Sequence, residues 1–218
     1  SRKKAETWME KTNIDIEVIS EDQVEKKVLL LIVAAPKKVV ERVQTTVELA
    51  GLNPESVENE LSCTARFINN FNKSIINQYK VNQTQGLVVA NFDTNSTSLS
   101  YFSPQELIVK EVHHLSIGYQ LFLKETQVNT DTDIKKSEEM LKNYDKNNPS
   151  SYSLEKIVQP LVKEFSTELK LFISKYNPAT VLFTNKIFLY PSLVTNLTEE
   201  LGLPINIFEP SLLLKKSQ

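Results

Sequence analysis

Two short stretches carry residue types whose spacing bears on chemistry. In the first, an apolar strand (Leu87–Phe92) runs into the polar turn Asp93-Thr94-Asn95-Ser96, and an alternating strand (Thr97–Phe102) runs out. A hairpin turn grips an anion when glycine lets backbone N–H groups come close to it. This turn has no glycine, and Asp93 would set a carboxylate beside the anion, a like-charge clash. Asp, Asn, Thr and Ser are also ordinary turn residues. The stretch therefore reads either as a retained ligand contact or as a plain polar β-turn. The second stretch is His113-His114. Neighbours on a strand point to opposite faces, so the pair does not converge on one ion, and no metal site is expected. Cys63 has no histidine partner with triad logic. Glu138-Glu139 reads as a solvated helix face.

Composition narrows the classes further. The chain has 218 residues, 40% apolar and 24% charged, with a formal net charge of −2. That is ordinary for a globular protein, and no basic field points to nucleic acid. A single cysteine excludes an internal disulfide framework and a Cys-rich zinc site. The longest apolar run, Val28–Pro36, is far short of the roughly 20 residues of a membrane helix. It reads as a buried strand. There are only four glycines: Gly51, Gly86, Gly118 and Gly202. None are close enough to form a Walker-type loop or a dinucleotide fingerprint. Gly51 and Gly202 each follow an amphipathic segment and read as helix C-caps.

The elements that must position these residues follow from hydrophobic period. Residues 13–22 alternate, with Ile14, Ile16 and Val18 on one face. Val28–Pro36 is the second strand. Val40, Val43, Val47 and Ala50 are spaced as a helix. Residues 55–71 read as a short strand entering a helix. A boundary is expected at the polar stretch Tyr79–Gln85. Leu87–Phe92, Thr97–Phe102 and Leu107–Leu115 then form an antiparallel meander, and a helix begins near Gly118 with Leu121, Phe122 and Val128 inward. A short helix spans Ile134–Asn143. A long one, capped by Ser153 and kinked or restarted at Pro160, carries Ile157, Leu161, Phe165, Leu169, Phe172 and Tyr176. A buried strand at 179–185, a helix at 191–201 and an edge strand at 205–210 end the chain. The fold class is α/β.

Three of these segments resemble a known family. "LLLIVAAPKKVVERVQTTVELAGLNPESVENE", above all Ala34–Lys37 and Ala50–Pro54, resembles the inserted subdomain of PilM-like proteins, the FtsA-like members of the actin-like ATPase superfamily that serve type IV pilus machines. "LVVANFDTNSTSLSYFSPQELIVKEVHHLSIG" resembles that family's second phosphate hairpin. "TVLFTNKIFLYPSLVTNLTEELGLPINIFEP" resembles its adenosine segment. The resemblance implies an actin-like, ribonuclease H-like fold lacking the first subdomain. Residues 1–80 would be the small inserted subdomain. Residues 86–218 would be the second-half domain, with a helical insertion at about 119–152. Trp8 and Met9 fall where the family chain enters the inserted subdomain, as local core or as partner contacts.

The departures from the family set the functional expectation. Where the family hairpin reads acid, apolar, glycine and then threonine, this chain has Asn91, Phe92 and Asp93, with Ser96 or Thr97 at the threonine. Asn91 cannot serve as the carboxylate that positions a metal-bound water. The paired glycines of the adenosine motif are replaced by Thr184-Asn185-Lys186. The resemblance thus implies a degenerate nucleotide site at Asn91, Asp93, Ser96, Thr97, Thr184, Asn185 and Lys186, with ATP and Mg held only if the missing motif is supplied from outside this chain. The function expected is a non-catalytic or weakly nucleotide-binding scaffold of a type IV pilus or type II secretion platform. It would sit at the inner face of the cytoplasmic membrane and bind the cytoplasmic tail of a PilN-like membrane protein, with self-association left open. Two alternatives stand beside it: one lobe of an active actin-like ATPase or kinase, and a stand-alone interaction module.

Overall fold

The structure is a computed structural model that describes residues 10–81, 84–104 and 107–214. Trp8 and Met9 lie outside the described residues. The chain divides into two compact units, Ser1–Thr64 and Ala65–Gln218.

The first unit is a β-hairpin with a helix. β1 (Thr12–Asp22) and β2 (Lys27–Pro36) pair antiparallel, with Ile14 opposite Ala34, Ile16 opposite Ile32 and Val18 opposite Leu30. Directly opposed residues share a face, so these six form one apolar face. Val33 and Ala35, on the other face, are half-buried, as are Val40 and Val47 of α1 (Lys37–Leu49). The reading of Val28–Pro36 as a buried strand is corrected here: Ile32 is 60% exposed and Ile16 58%. One helix covers one face of two strands and leaves the other open. α1 ends as its glycine requires. Gly51 takes a φ of +78°, its N–H donates to Glu48 O, and Leu52 N–H donates to Val47 O. This double bond pattern satisfies carbonyls the helix end would otherwise leave free. The strand expected after it does not form, and Leu52–Asn59 carry no regular structure. Pro54 has no N–H to give a ladder, and Val57 alone among acidic neighbours offers too little to bury. The Asn59 carboxamide oxygen instead accepts from Ser62 N–H at 2.9 Å and caps α2 (Glu60–Asn70).

The second unit begins within α2, at Ala65, whereas the sequence placed a boundary at Tyr79–Gln85. Ile68 and, on α3 (Asn72–Tyr79), Ile75 are fully buried. Phe67 and Tyr79 set ring edges against Phe208 at 5.9 and 6.2 Å. The five-stranded sheet that follows has the order β5 (Val109–Leu115), β4 (Thr97–Phe102), β3 (Leu87–Phe92), β6 (Thr180–Asn185), β7 (Ile205–Ile207). β3, β4 and β5 form the expected antiparallel meander. β6 and β7 add in parallel to β3.

Four helices join these strands: α4 (Tyr119–Thr130), α5 (Ile134–Lys142), α6 (Tyr152–Ile173) and α7 (Ser192–Leu201), with a short α8 (Pro210–Leu214) at the end. Phe92, Phe165 and Phe183 form the centre of the core, with Phe92 stacked on Phe165 at 5.9 Å. Leu87, Val89 and Leu182 on the opposite sheet face are buried as well. Burial on both faces is what unbroken apolar runs in parallel strands require.

Several local expectations shift. α6 starts at Tyr152 after Ser151, and Pro160 sits inside it on the exposed side. There the carbonyl that loses its proline N–H partner faces water, so the helix continues. Its buried apolar stripe is Leu154, Val158, Val162, Phe165, Leu169, Phe172 and Ile173, which includes the expected Phe165, Leu169 and Phe172, while Ile157 and Leu161 are only partly covered. Val128 points outward at 80% exposure.

The edge strand β5 is pinned to the end of α6. Glu111 accepts hydrogen bonds from the Tyr176 hydroxyl and, at 2.9 Å, from Lys175 Nζ. Tyr176 stacks on Tyr101. The Tyr176 bond and then Lys175 hold the Glu111 carboxyl below its ordinary value of 4.5. A lowered folded-state pKa stabilises above the ordinary value and is lost as pH falls through the lowered one. Glu111→Gln is therefore expected to flatten the loss of stability below about pH 4.5, read from thermal melts at stepped pH. An unchanged acid limb would show that the contact does not contribute.

Candidate functional site at the carboxyl ends of β3 and β6

β3 and β6 are adjacent and parallel, and the chain leaves them in opposite directions across the sheet. Such a switch point, at the carboxyl ends of parallel strands, is where open α/β sheets hold ligands. The fold brings the two expected stretches together here. Asn91 is paired with Thr184 and Phe92 with Asn185. Asp93 and Lys186 follow at the strand ends. Asn91 also lies opposite Ser98, so Ser98, Asn91 and Thr184 form a polar row on one sheet face. Ser98 Oγ lies 3.0 Å from His114 Nδ1, which extends the row to β5. His113 stacks on Phe172. The two histidine rings thus leave β5 on opposite faces, as the strand period requires.

Asn91 is 8% exposed, and its Oδ1 has no partner among the described residues. Thr184, Asn185 and Lys186 are half-buried and Asp93 is exposed. Thr97 is fully buried, and its hydroxyl donates to Ile117 O at 2.6 Å. It is spent on the interior. Ser96 is half-buried beside Gly118.

Two of the turn's N–H groups are bound within it. Asp93 N–H donates to Ser96 O at 3.0 Å, and Thr94 N–H donates to the Asp93 carboxylate at 2.7 Å. The first N–H groups of α4 are bound too: Tyr119 N–H donates to Asp93 O at 2.9 Å, and Gln120 N–H to Thr94 O at 2.7 Å. In a phosphate site these donors would face the anion. Here the turn's own carbonyls hold them. Asp93 adds negative charge at the same place, which opposes an anion there.

Gly118 makes this contact feasible. A Cβ there would lie 2.4 Å from Ser96 N and 2.7 Å from Asp93 O. Both are backbone atoms that cannot swing aside. Asn185 shows the converse. Its φ of 70° and ψ of −123° belong to glycine, yet the residue carries a side chain.

Elsewhere, a cavity of about 310 Å³ lies between α5 and the start of α6, lined by Lys136, Glu139, Asn143, Ser150, Ser151 and Ser153 among others. Sequence reading passed over it. The signal was available: Lys136, Glu139 and Asn143 are spaced to share a helix face, and a serine run follows. Glu138, read as solvated, is half-buried, and its charge helps to raise the Tyr119 hydroxyl to about 12 after burial. Cys63 is exposed, its Sγ 3.4 Å from Glu58. Among the described residues, no group of His, Cys, Asp and Glu is arranged to hold a metal ion, and no helix is long and apolar enough to cross a membrane.

Two substitutions test this geometry in urea denaturation. Gly118→Ala is expected to destabilise by about 3 kcal/mol, because the backbone of the turn must move. Asn185→Gly is expected to stabilise by about 1 kcal/mol, the relieved strain exceeding the entropy glycine adds. A neutral Gly118→Ala would show that the turn is not seated as described, and a destabilising Asn185→Gly would remove the strain.

No protein-family model and no curated protein matches this sequence. Solved structures do. Over 97% of its length the chain matches a chain of a PilM–PilN type IV pilus biogenesis complex, at a TM-score of 0.69 and 17% identity, covering 61% of that chain. It also matches the ethanolamine utilization protein EutJ from Carboxydothermus hydrogenoformans (TM-score 0.47, 13% identity, 59% of this chain and 47% of that one). An archaeal actin homologue in complex with ADP follows (0.48, 12%, 68% and 50%). The chain spans less than two thirds of each of these proteins. With its five-stranded mixed sheet and flanking helices, it has an actin-like α/β fold.

Proposed function

We propose that this chain is a PilM-like scaffold of a type IV pilus or type II secretion platform, acting at the inner face of the cytoplasmic membrane. Its task is to bind the cytoplasmic tail of a PilN-like membrane protein rather than to turn over nucleotide. The observation that carries this reading is the likeness, across 97% of the chain, to a chain of a PilM–PilN complex. The turn at Asp93–Ser96, with two N–H groups bound internally and a carboxylate in place of glycine, supports the non-catalytic half of it. The open face of the β1–β2 hairpin supports the binding half. Extended peptides are captured by backbone edges and apolar side chains, which Ile14, Ile16, Leu30 and Ile32 offer, and need no catalytic group.

Calorimetric titration separates the readings. A synthetic PilN-like cytoplasmic tail is expected to bind at micromolar affinity, and Ile16→Asp to weaken it at least about tenfold through a charge set in the apolar face. Mg-ATP is expected to give no heat of binding at 100 μM, about 5.5 kcal/mol. Tight Mg-ATP binding with no peptide binding would reverse the proposal in favour of an ATPase lobe.

A further inference from the structure

The two strands of the first unit have unlike outer edges. β1 and β2 form a two-stranded sheet, so each keeps one row of backbone N–H and C=O groups outside the ladder. Between Thr12 and Asp22, β1 carries Asp15, Glu17, Glu21 and Asp22 and no basic residue. Charged side chains are one way native sheets keep an edge from pairing. β2 carries no charge from Val28 to Pro36. Its one proline is its last residue, so no N–H is missing from the middle of the row. Val28, Leu30 and Ile32 on this strand are all exposed. A long, uncharged edge is a template for another strand. Two strands alone are marginal, and a third is what steadies a small sheet with an apolar face. The chain's own candidate, Leu52–Asn59, carries no regular structure.

The charges at the ends of β2 specify the occupant further. Lys37 N–H donates to Lys11 O at 2.9 Å, which sets Lys11, Lys37 and Lys38 at the open end of the hairpin. All three are exposed, and none has an ion-pair partner among the described residues. At the other end, Lys27 is bound to Glu25 at 2.8 Å. A second copy of β2 does not suit this edge. Antiparallel, its Lys37 would meet Lys27; parallel, each lysine would meet its twin. An apolar segment followed by an acidic residue suits both the edge and the lysine group.

We infer that the free edge of β2 takes a partner segment as a third strand: an extended, uncharged, β-branched run of about six residues, ended by an acidic side chain that meets Lys11, Lys37 and Lys38. Backbone bonds would supply affinity and alternate side chains selectivity. Those on the face of Leu30 and Ile32 extend that apolar face, so apolar residues are selected at every second position. That the run belongs to a PilN-like tail rests on the function proposed above; the edge and its chemistry do not.

The test uses the whole chain and synthetic probes. The first is a run of alternating valine and threonine ended by two glutamates, and the second is the same run ended by two lysines. Two more are the glutamate form N-methylated on its valines and on its threonines. The glutamate probe is expected to bind and to slow hydrogen exchange at every second amide of Val28–Ala35, those that do not donate to β1, with β1 unchanged. The lysine probe is expected to bind about fivefold more weakly. One methylated probe is expected to bind and the other not, because only one row of N–H groups faces β2. Equal binding of the two methylated probes, equal binding of the glutamate and lysine probes, or protection on β1 instead would each overturn the inference. So would a chain that dimerises through β2 and binds no probe. A PilN-like tail that fails to bind while the glutamate probe binds refutes the partner's identity alone and leaves the edge standing. A tail that binds without protecting β2 does the reverse.

Discussion

The backbone of residues 93–96 lies against Gly118, and much of the second unit depends on that approach. It lets the carbonyls of Asp93 and Thr94 accept the first two N–H groups of α4. The start of α4 is thereby fixed relative to the β3–β4 hairpin, which sends Phe122 and Leu123 into the core. Phe122 meets both Phe92 on β3 and Tyr190 beyond β6. A short-range steric requirement at one glycine thus carries through the helix to the centre of the sheet. The same contact occupies the first two N–H groups of α4, which point toward the turn rather than toward a ligand.

The switch point sets polar strand ends on a deep apolar frame. β3 and β6 are parallel neighbours buried on both faces. Asn185 follows a backbone path that glycine adopts most easily. Asn91 carries one buried acceptor and no charge. Docking by an exposed strand pair asks far less of a chain than catalysis does. It needs a stable frame and an open apolar surface, and the β1–β2 hairpin offers the latter.

Much of the second unit was legible from period and punctuation. β3, β4, β6 and α7 fall where the apolar runs place them, and the helices before Gly51 and Gly202 end in the left-handed turns that glycine permits. Three misreadings share one cause: each turned on what lies opposite a residue, which period does not encode. The apolar run Val28–Pro36 looks buried but has cover on one side only. The stripe of α6 keeps the expected Phe165, Leu169 and Phe172, but in its first half Leu154, Val158 and Val162 are buried rather than Ile157 and Leu161. Glu138 looks solvated but lies near a buried tyrosine.

The sequence by itself determined the α/β class, the meander, the scarcity of glycine and hence the lack of a Gly-rich phosphate loop. Each of these follows from residue type and short-range spacing. Only the tertiary structure decided that Thr97 turns its hydroxyl inward to Ile117, that the turn's carbonyls cap α4, and that Glu111 is held by Tyr176 and Lys175. These join residues distant in the chain, and hydrogen-bond partners at such separation are set by how strands and helices pack rather than by any local pattern.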